Sequence, residues 1–265
     1  MGGLEHANWF MRVLFVAMGA TIVTSVLLAQ RGRAMFVRRI PGLTAIEEAV
    51  GRATEMGRPI LFSPGLDGIS IVTLQALAIL AYIVRLAAER ATRVIVALRA
   101  SEVYPVAEEV VREACEAAGR PEAFRPQDVR FVAEEQFAYA LGTVGIMARE
   151  QTATTFLFGG FYAEALILAE NGRALGALQV AGCPDPVQIP FFIATCDYVV
   201  IGDEFYAASA YLTREPTLTG SLVGQDLVKA GLIALVLAGI GVATYLGQAA
   251  NMDHNLLVRL LGGGG

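Results

Sequence analysis

The chain has 265 residues, 55% of them hydrophobic and 17% charged, with a mean hydropathy of +0.55. That is too apolar for an ordinary soluble domain and too charged for a protein lying wholly in a bilayer, so membrane spans joined to one globular domain are expected. A formal net charge of -5 argues against a nucleic-acid surface, which needs cations to neutralise phosphates.

Residues 1–12 include Trp9 and Phe10, aromatic side chains of the kind that favour a membrane interface. The uncharged run 13–30 that follows is long enough for one helical span. Arg31, Arg33, Arg38 and Arg39 come directly after it. Such a cluster resists translocation, so the chain beyond is expected in the cytoplasm and the N-terminus outside. A cleaved signal peptide fits less well, because the apolar run is long and the heavy positive flank lies on the wrong side of it.

In the basic segment 31–58, Pro41-Gly42 breaks the chain and Thr44 with Glu47 forms a capping-box pattern. Leu43, Ile46, Val50, Ala53 and Met56 then define one apolar face of a short helix on the membrane-proximal side of the domain. From 59 to 226 short apolar runs alternate with helical patterns. Strands are predicted at 60–63, 93–98, 129–133, 154–158, 177–181 and 198–201. Between and after them the pattern predicts helices near 69–84, 106–118, 136–149, 162–170 and 204–211, and an apolar segment at 187–195.

Regular alternation of this kind predicts an α/β fold: a doubly wound, mainly parallel, Rossmann-like sheet flanked by an N-terminal and a C-terminal transmembrane helix. Segment 69–84 carries no charge before Arg85, yet it is short and holds Ser70, Thr73 and Gln75. It reads as a buried core helix or one packed on a partner subunit, not as a third span. The second span is predicted at 229–250, with Lys229 marking its cytoplasmic end, and 251–265 is an extracytoplasmic tail closing on Gly262 to Gly265. Small residues recur every four positions in both spans, as Ala17, Thr21 and Ser25 and as Ala230, Ala234 and Ala238. Such stripes let helices approach closely.

The domain's chemistry is informative by what is missing. Both histidines, His6 and His254, lie outside it, and Lys229 is the chain's only lysine. No imidazole is available for a triad or a histidine metal site, and no lysine for a phosphate loop or a Schiff base. Cys115, Cys183 and Cys196 are too far apart in sequence to read as a zinc ribbon or a disulfide framework, and are expected as buried thiols.

In doubly wound sheets ligands bind at the carboxyl ends of the strands. The candidate binding residues there are Gly65, Asp67, Gly68, Gly159, Gly160 and Gly182. Glycine turns at helix starts expose amides that can hold an anion. However, Ser-Pro-Gly-Leu-Asp-Gly matches no nucleotide motif, and a tight turn needs the same small residues. Asp67, Glu134 and Glu135 are the candidate oxygen ligands for a divalent metal. Arg99, Ser101 and Glu102 belong to the same edge, and Glu164, Asp203 and Glu204 read as helix caps.

The run Arg38-Arg39-Ile40-Pro41-Gly42-Leu43, continued by Ile46-Glu47-Glu48-Ala49-Val50-Gly51-Arg52-Ala53-Thr54-Glu55-Met56-Gly57-Arg58-Pro59, carries a specific resemblance. Glu135-Gln136-Phe137-Ala138-Tyr139, Phe161-Tyr162-Ala163-Glu164, Cys196-Asp197-Tyr198 and Ala207-Ala208-Ser209-Ala210-Tyr211-Leu212 extend it. Over about 38–226 the chain resembles a family of uncharacterised prokaryotic membrane proteins with a domain of unknown function. The resemblance implies a membrane-tethered domain of one kind. It transfers no activity, catalytic residue or cofactor.

Three functional readings follow. The first is a membrane-anchored, non-catalytic scaffold forming a homo-oligomer, with lipid, copies of itself and other membrane proteins as partners. The second is a tethered binding module for a nucleotide or another small anion at the strand ends. The third is an enzyme using carboxylates and a metal.

Overall fold

The computed structural model describes residues 9–31, 41–213 and 216–249. Arg33, Arg38, Arg39, both histidines and the terminal glycines lie outside the described residues. The chain divides into two compact units: Met1–Val37 with Arg214–Gly265, and Arg38–Thr213. The elements in chain order are α1 (Trp9–Gln30), α2 (Pro41–Met56), β1 (Ile60–Gly65), α3 (Ile71–Glu89), β2 (Val94–Leu98) and α4 (Tyr104–Ala117). There follow β3 (Val129–Phe131), α5 (Gln136–Glu150), β4 (Thr154–Gly160), α6 (Glu164–Ala174), β5 (Leu178–Cys183), α7 (Ile189–Thr195), β6 (Tyr198–Ile201), α8 (Asp203–Thr213) and α9 (Pro216–Ala249).

The α/β unit is built on one six-stranded, all-parallel sheet in the order β3-β2-β1-β4-β5-β6. The chain winds outward from β1 to β3, returns to pair β4 with β1, and winds outward again to β6. The four central strands β1, β2, β4 and β5 are buried along nearly their whole length because both faces are covered, whereas the edge strand β3 carries Arg130 and exposes Phe131. One face carries α2, α3, α4 and α8, with Ile46, Phe62, Ile79, Ile83, Phe156 and Phe205 fully buried between them. The other carries α5, α6 and α7 over Leu61, Leu157, Tyr139, Leu168 and Phe192.

All six predicted strands are present, and α3 packs one face into the core. By length and composition α3 is one of three helices apolar enough to cross a bilayer, with Trp9–Gln30 and Thr219–Tyr245. Its Ile79, Leu80, Ile83 and Ala87 are nevertheless sealed against the sheet. Ser70 starts it, its side chain accepting from the Thr73 amide.

Two boundaries differ from the sequence expectation. Helix α2 belongs to the domain core, since Ile46, Ala49, Val50 and Ala53 are fully buried. It begins at Pro41, three residues before the predicted capping box at Thr44. Proline needs no amide partner in a first helical turn and so starts the helix instead of breaking it. The last helix begins at Pro216 and runs without a break through Asp226 and Lys229. Lys229 is therefore inside a helix, not at the start of one, because nothing at that point stops helical hydrogen bonding.

In the helical unit α1 and α9 run antiparallel. Gln30 Nε2 donates to Thr217 Oγ1 at 3.4 Å, while Leu14, Ala17 and Met18 share a recess with Leu232 and Leu235, farther along α9. Close approach is made through glycine. A Cβ at Gly220 would sit 2.7 Å from the Val26 Cα, and one at Gly224 would sit 2.9 Å from the Ile22 Cα. The predicted α1 stripe faces this seam through Ser25, which is buried there, whereas Ala230, Ala234 and Ala238 are exposed.

A polar network closes the amino end of the sheet. Arg93 donates to Asp128 (2.8 Å) and Glu150 (2.7 Å), and Arg130 donates to Glu150 (2.7 Å). The Arg130 hydrogen bond, joined by that of Arg93, holds the Glu150 carboxyl below its usual range against the opposing effect of partial burial. A depressed carboxyl pKa stabilises the fold above the ordinary carboxylate range and stops doing so as pH falls through the lowered value. Glu150→Gln should therefore flatten acid destabilisation below about pH 4.5. Urea midpoints of the chain between neutral and acid pH read this directly.

Candidate functional site

The winding direction reverses between β1 and β4, and at their carboxyl ends five of the six candidate binding residues converge. Strand β1 reaches this edge through Ser63-Pro64-Gly65, with a register shift against β4 between Ser63 and Gly65. Pro64 has no amide to give a ladder, and the irregularity accommodates it. Gly65 pairs with Gly160, and the Leu66 amide donates to the Gly160 carbonyl at 2.8 Å.

Gly65 has φ +86°, and a Cβ there would lie 2.1 Å from the Gly160 carbonyl oxygen. Gly159 has φ +152°, and its Cβ would lie 1.8 Å from the Pro64 carbonyl oxygen. Two backbones thus touch where only glycine fits. The remaining close approaches involve carboxylates. Asp67 lies over Gly160, with Oδ2 2.2 Å from where a Cβ would be, and Glu102 Oε1 is 2.4 Å from the same point on Gly68. Gly182 stands apart on β5, where the Phe158 ring occupies the space a side chain would need.

Beneath the crevice a hydroxyl chain fixes the strand ends. Ser63 Oγ and the Tyr139 hydroxyl are 2.6 Å apart, Tyr139 donates to the Ala97 carbonyl (3.1 Å), and the Gly65 amide donates to Ser63 Oγ (3.2 Å). With its own proton committed to Ala97, Tyr139 accepts from Ser63, so every proton in the chain is used. Burial pushes the Tyr139 hydroxyl up to about 12, which keeps it a neutral donor.

Arg99 clips two loops together, donating from Nε to the Glu134 carbonyl (2.6 Å) and from Nη1 to the Leu66 carbonyl (2.8 Å). Ser101 donates to Glu134 Oε1 at 2.9 Å. Glu135 caps α5, accepting from the Ala138 amide at 2.6 Å, and this hydrogen bond with that of Phe137 holds its carboxyl below the usual range. Asp67, Glu134 and Glu135 thus have separate surroundings, and among the described residues no group of three His, Cys, Asp or Glu side chains could hold a metal ion.

Sequence reasoning treated Glu164 as a cap and gave it no further part. It is fully buried, with Oε1 accepting from the Tyr162 amide (2.9 Å) and Oε2 from Gln136 Nε2 (2.6 Å). It joins the turn after β4 to the start of α5. Glu164→Ala strands both donors and should lower stability by about 2–3 kcal/mol, and Glu164→Gln by less, read as urea-unfolding free energies.

Burial raises all three thiols, Cys196 to about 12, so none is a thiolate at neutral pH. Arg99, committed to carbonyls, shares the strand-end edge with Asp67, Glu102, Glu134 and Glu135. Around these acids the connections after β1, β3, β4 and β5 expose Ile69, Ile71, Phe137, Leu141, Tyr162 and Val187, with Ile71 at 71%.

No curated protein and no solved structure matches the chain. The match that exists runs through both long helices as well as the α/β unit, wider than the resemblance drawn from 38–226. Over residues 3–254 the chain belongs to the family described as Domain of unknown function (DUF6754).

Proposed function

We propose that this protein is a membrane-anchored scaffold. In this reading α1 and α9 span the bilayer and the Rossmann-like α/β domain lies in the cytoplasm, with both termini outside. Copies of the chain assemble into a homo-oligomer that can also engage other membrane proteins. The observation that carries the anchoring is the outer surface of the helix pair. Phe15 (78% exposed), Val16, Val23, Ile233, Val236 and Leu237 (63% exposed) all face away from the seam. An apolar surface of that size is stable in lipid and costly in water. The 22 residues of α1 span about 33 Å, close to the thickness of a hydrocarbon core. Arg31 and the three arginines after it orient the pair.

The acidic, apolar-rimmed edge of the domain supports assembly over small-anion binding. Asp67 lies over Gly160, where a phosphate would approach, and adds negative charge there. One observation still favours a bound small molecule. The strand order 3-2-1-4-5-6, with its reversal at β1 and β4, is that of dinucleotide-binding folds. Because the local charge is negative, a ligand offering hydroxyls or a cationic group suits this crevice better than a bare anion.

Native mass spectrometry of the detergent-extracted chain separates the two readings. A discrete oligomer with no added mass supports the scaffold. A retained few hundred daltons per subunit, distinguishable from lipid, moves the assignment to the crevice, and a monomer at every concentration overturns assembly.

A further inference from the structure

Helices α3 and α4 cover the same face of the sheet, and between them runs a groove of about 490 Å³. Leu74, Leu77, Ala81, Val106 and Val110 line it, and Leu212 of α8 reaches it as well. From Leu74 to Arg85 and from Val106 to Ala117 the lining covers about 16 Å of each helix. A concavity of this volume, with apolar walls and few polar groups, is the usual form of a small-molecule site. The sheet buries Ile79, Leu80 and Ile83 of α3 but leaves Leu74, on the groove, half-exposed.

Two charged side chains stand on opposite walls, Arg85 on α3 and Glu113 on α4, each within about one turn of where the lining ends. Both are exposed, and among the described residues neither forms an ion pair. Arg85 lies over the Tyr82 ring, 5.6 Å from its centre, and the Tyr82 hydroxyl is tied to Glu47. A guanidinium stacked on a ring keeps its N–H edges available. The groove therefore suits a long apolar chain that carries, at one end, an anionic group for Arg85 and a cationic donor for Glu113.

Chain connectivity supplies the source of such a molecule. Leu212 is in the groove, and α9 starts at Pro216, no more than about 15 Å of chain away. The apolar stretch of α9 begins at Thr219. With α9 spanning the bilayer, the anchoring proposed above and the part of that reading on which this rests, the groove is tethered close to lipid. We infer that the α3–α4 groove holds an acyl chain of a bilayer phospholipid with a phosphoethanolamine headgroup. The phosphate meets Arg85, the ammonium meets Glu113, and the chain runs toward Leu74.

The test places one tryptophan in the full chain, in nanodiscs containing a minority of phospholipid with brominated acyl chains, which quench indole fluorescence on contact. Trp9→Phe removes the chain's single native tryptophan. Leu74→Trp then reports the groove, Phe15→Trp the outer surface of α1, and Leu141→Trp the exposed side of α5 on the other face of the domain. Quenching at 74 and 15 but not at 141 is expected. Quenching at 15 alone overturns the inference and leaves the anchoring standing, and it is also the result if a second copy fills the groove. No quenching at 15 or 74 removes the anchoring reading and this inference with it. Quenching at all three positions means a domain immersed in lipid without a defined site, which overturns the groove alone. If Leu74→Trp fails to fold, Val110→Trp on the opposite wall reads the same contact. For the headgroup, brominated phosphatidylethanolamine should quench Leu74→Trp more strongly than brominated phosphatidylcholine, whose trimethylated nitrogen has no N–H for Glu113. Glu113→Gln should abolish that difference, and Arg85→Gln should weaken binding of both lipids about fivefold, the contribution of one basic side chain at an anionic headgroup. Equal quenching by the two lipids in the chain with Glu113 intact overturns the headgroup assignment.

Discussion

Gly65→Ala is expected to destabilise the α/β domain by on the order of 4 kcal/mol, the sum of a strained left-handed backbone and a contact that cannot be relieved. The first part comes from φ +86°, a region that costs a side-chain-bearing residue. The second comes from the Gly160 carbonyl oxygen, 2.1 Å from the new Cβ. That oxygen is backbone, held in the sheet by the Leu66 amide, and has nowhere to move. Gly159→Ala should behave alike, its Cβ falling 1.8 Å from the Pro64 carbonyl oxygen. Gly160→Ala is the informative contrast. What it displaces is the carboxylate of Asp67, the end of a side chain that can rotate outward, so a loss of only about 1 kcal/mol is expected. Thermal unfolding of the solubilised chain followed by circular dichroism separates the cases, since the larger loss corresponds to roughly 10 °C. Equal effects at all three positions would mean that Asp67 is as firmly fixed as the backbone. Because Gly160→Ala retains the fold while changing the crevice, it is also the variant in which to look for a lost ligand.

The second large effect belongs to the helix pair. Gly220→Leu should separate α1 from α9 along the whole seam. The new side chain would begin 2.7 Å from the Val26 Cα and 2.9 Å from the Ser25 carbonyl oxygen, both backbone atoms. Helices meeting through glycine are closer than the usual 8–10 Å between axes, so any larger side chain must push them apart. A cross-link made by a short bifunctional thiol reagent between Gln30→Cys and Thr217→Cys, whose native side-chain tips are 3.4 Å apart, reports the contact. It should form readily in the otherwise unaltered chain and at least tenfold more slowly with Gly220→Leu. Gly241→Leu, with nothing near its Cβ position, is the matched control and should leave the rate unchanged. An undiminished rate with Gly220→Leu would mean that the seam is looser than a glycine contact.

The sequence by itself determined the parts of this protein that depend on short-range patterns. Alternating apolar runs and helical repeats specified a parallel α/β domain, because strands covered on both faces must be apolar throughout. Ser70 marked the start of the core helix α3 in the sequence, and it does cap it. Glycine and aspartate at the ends of the first and fourth strands were legible as a cluster, because the carboxyl ends of parallel strands meet along one edge.

Tertiary structure decided what depends on residues distant in the chain. That Gly65 must lack a side chain because of Gly160 follows only once β1 and β4 are adjacent. The hydrogen bond from Ser63 to Tyr139 joins positions 76 apart, and the one from Arg93 to Asp128 joins positions 35 apart. No local pattern encodes such pairs, because a side chain's partner is set by where the fold brings it. The extent of α9 is the same lesson in a helix. Asp226 and Lys229 suggest a boundary to a hydropathy reading, yet charged side chains do not interrupt backbone hydrogen bonding, and the glycine seam with α1 lies on their N-terminal side. Composition located the apolar helices. Only their packing placed two opposite charges level with the middle of α1.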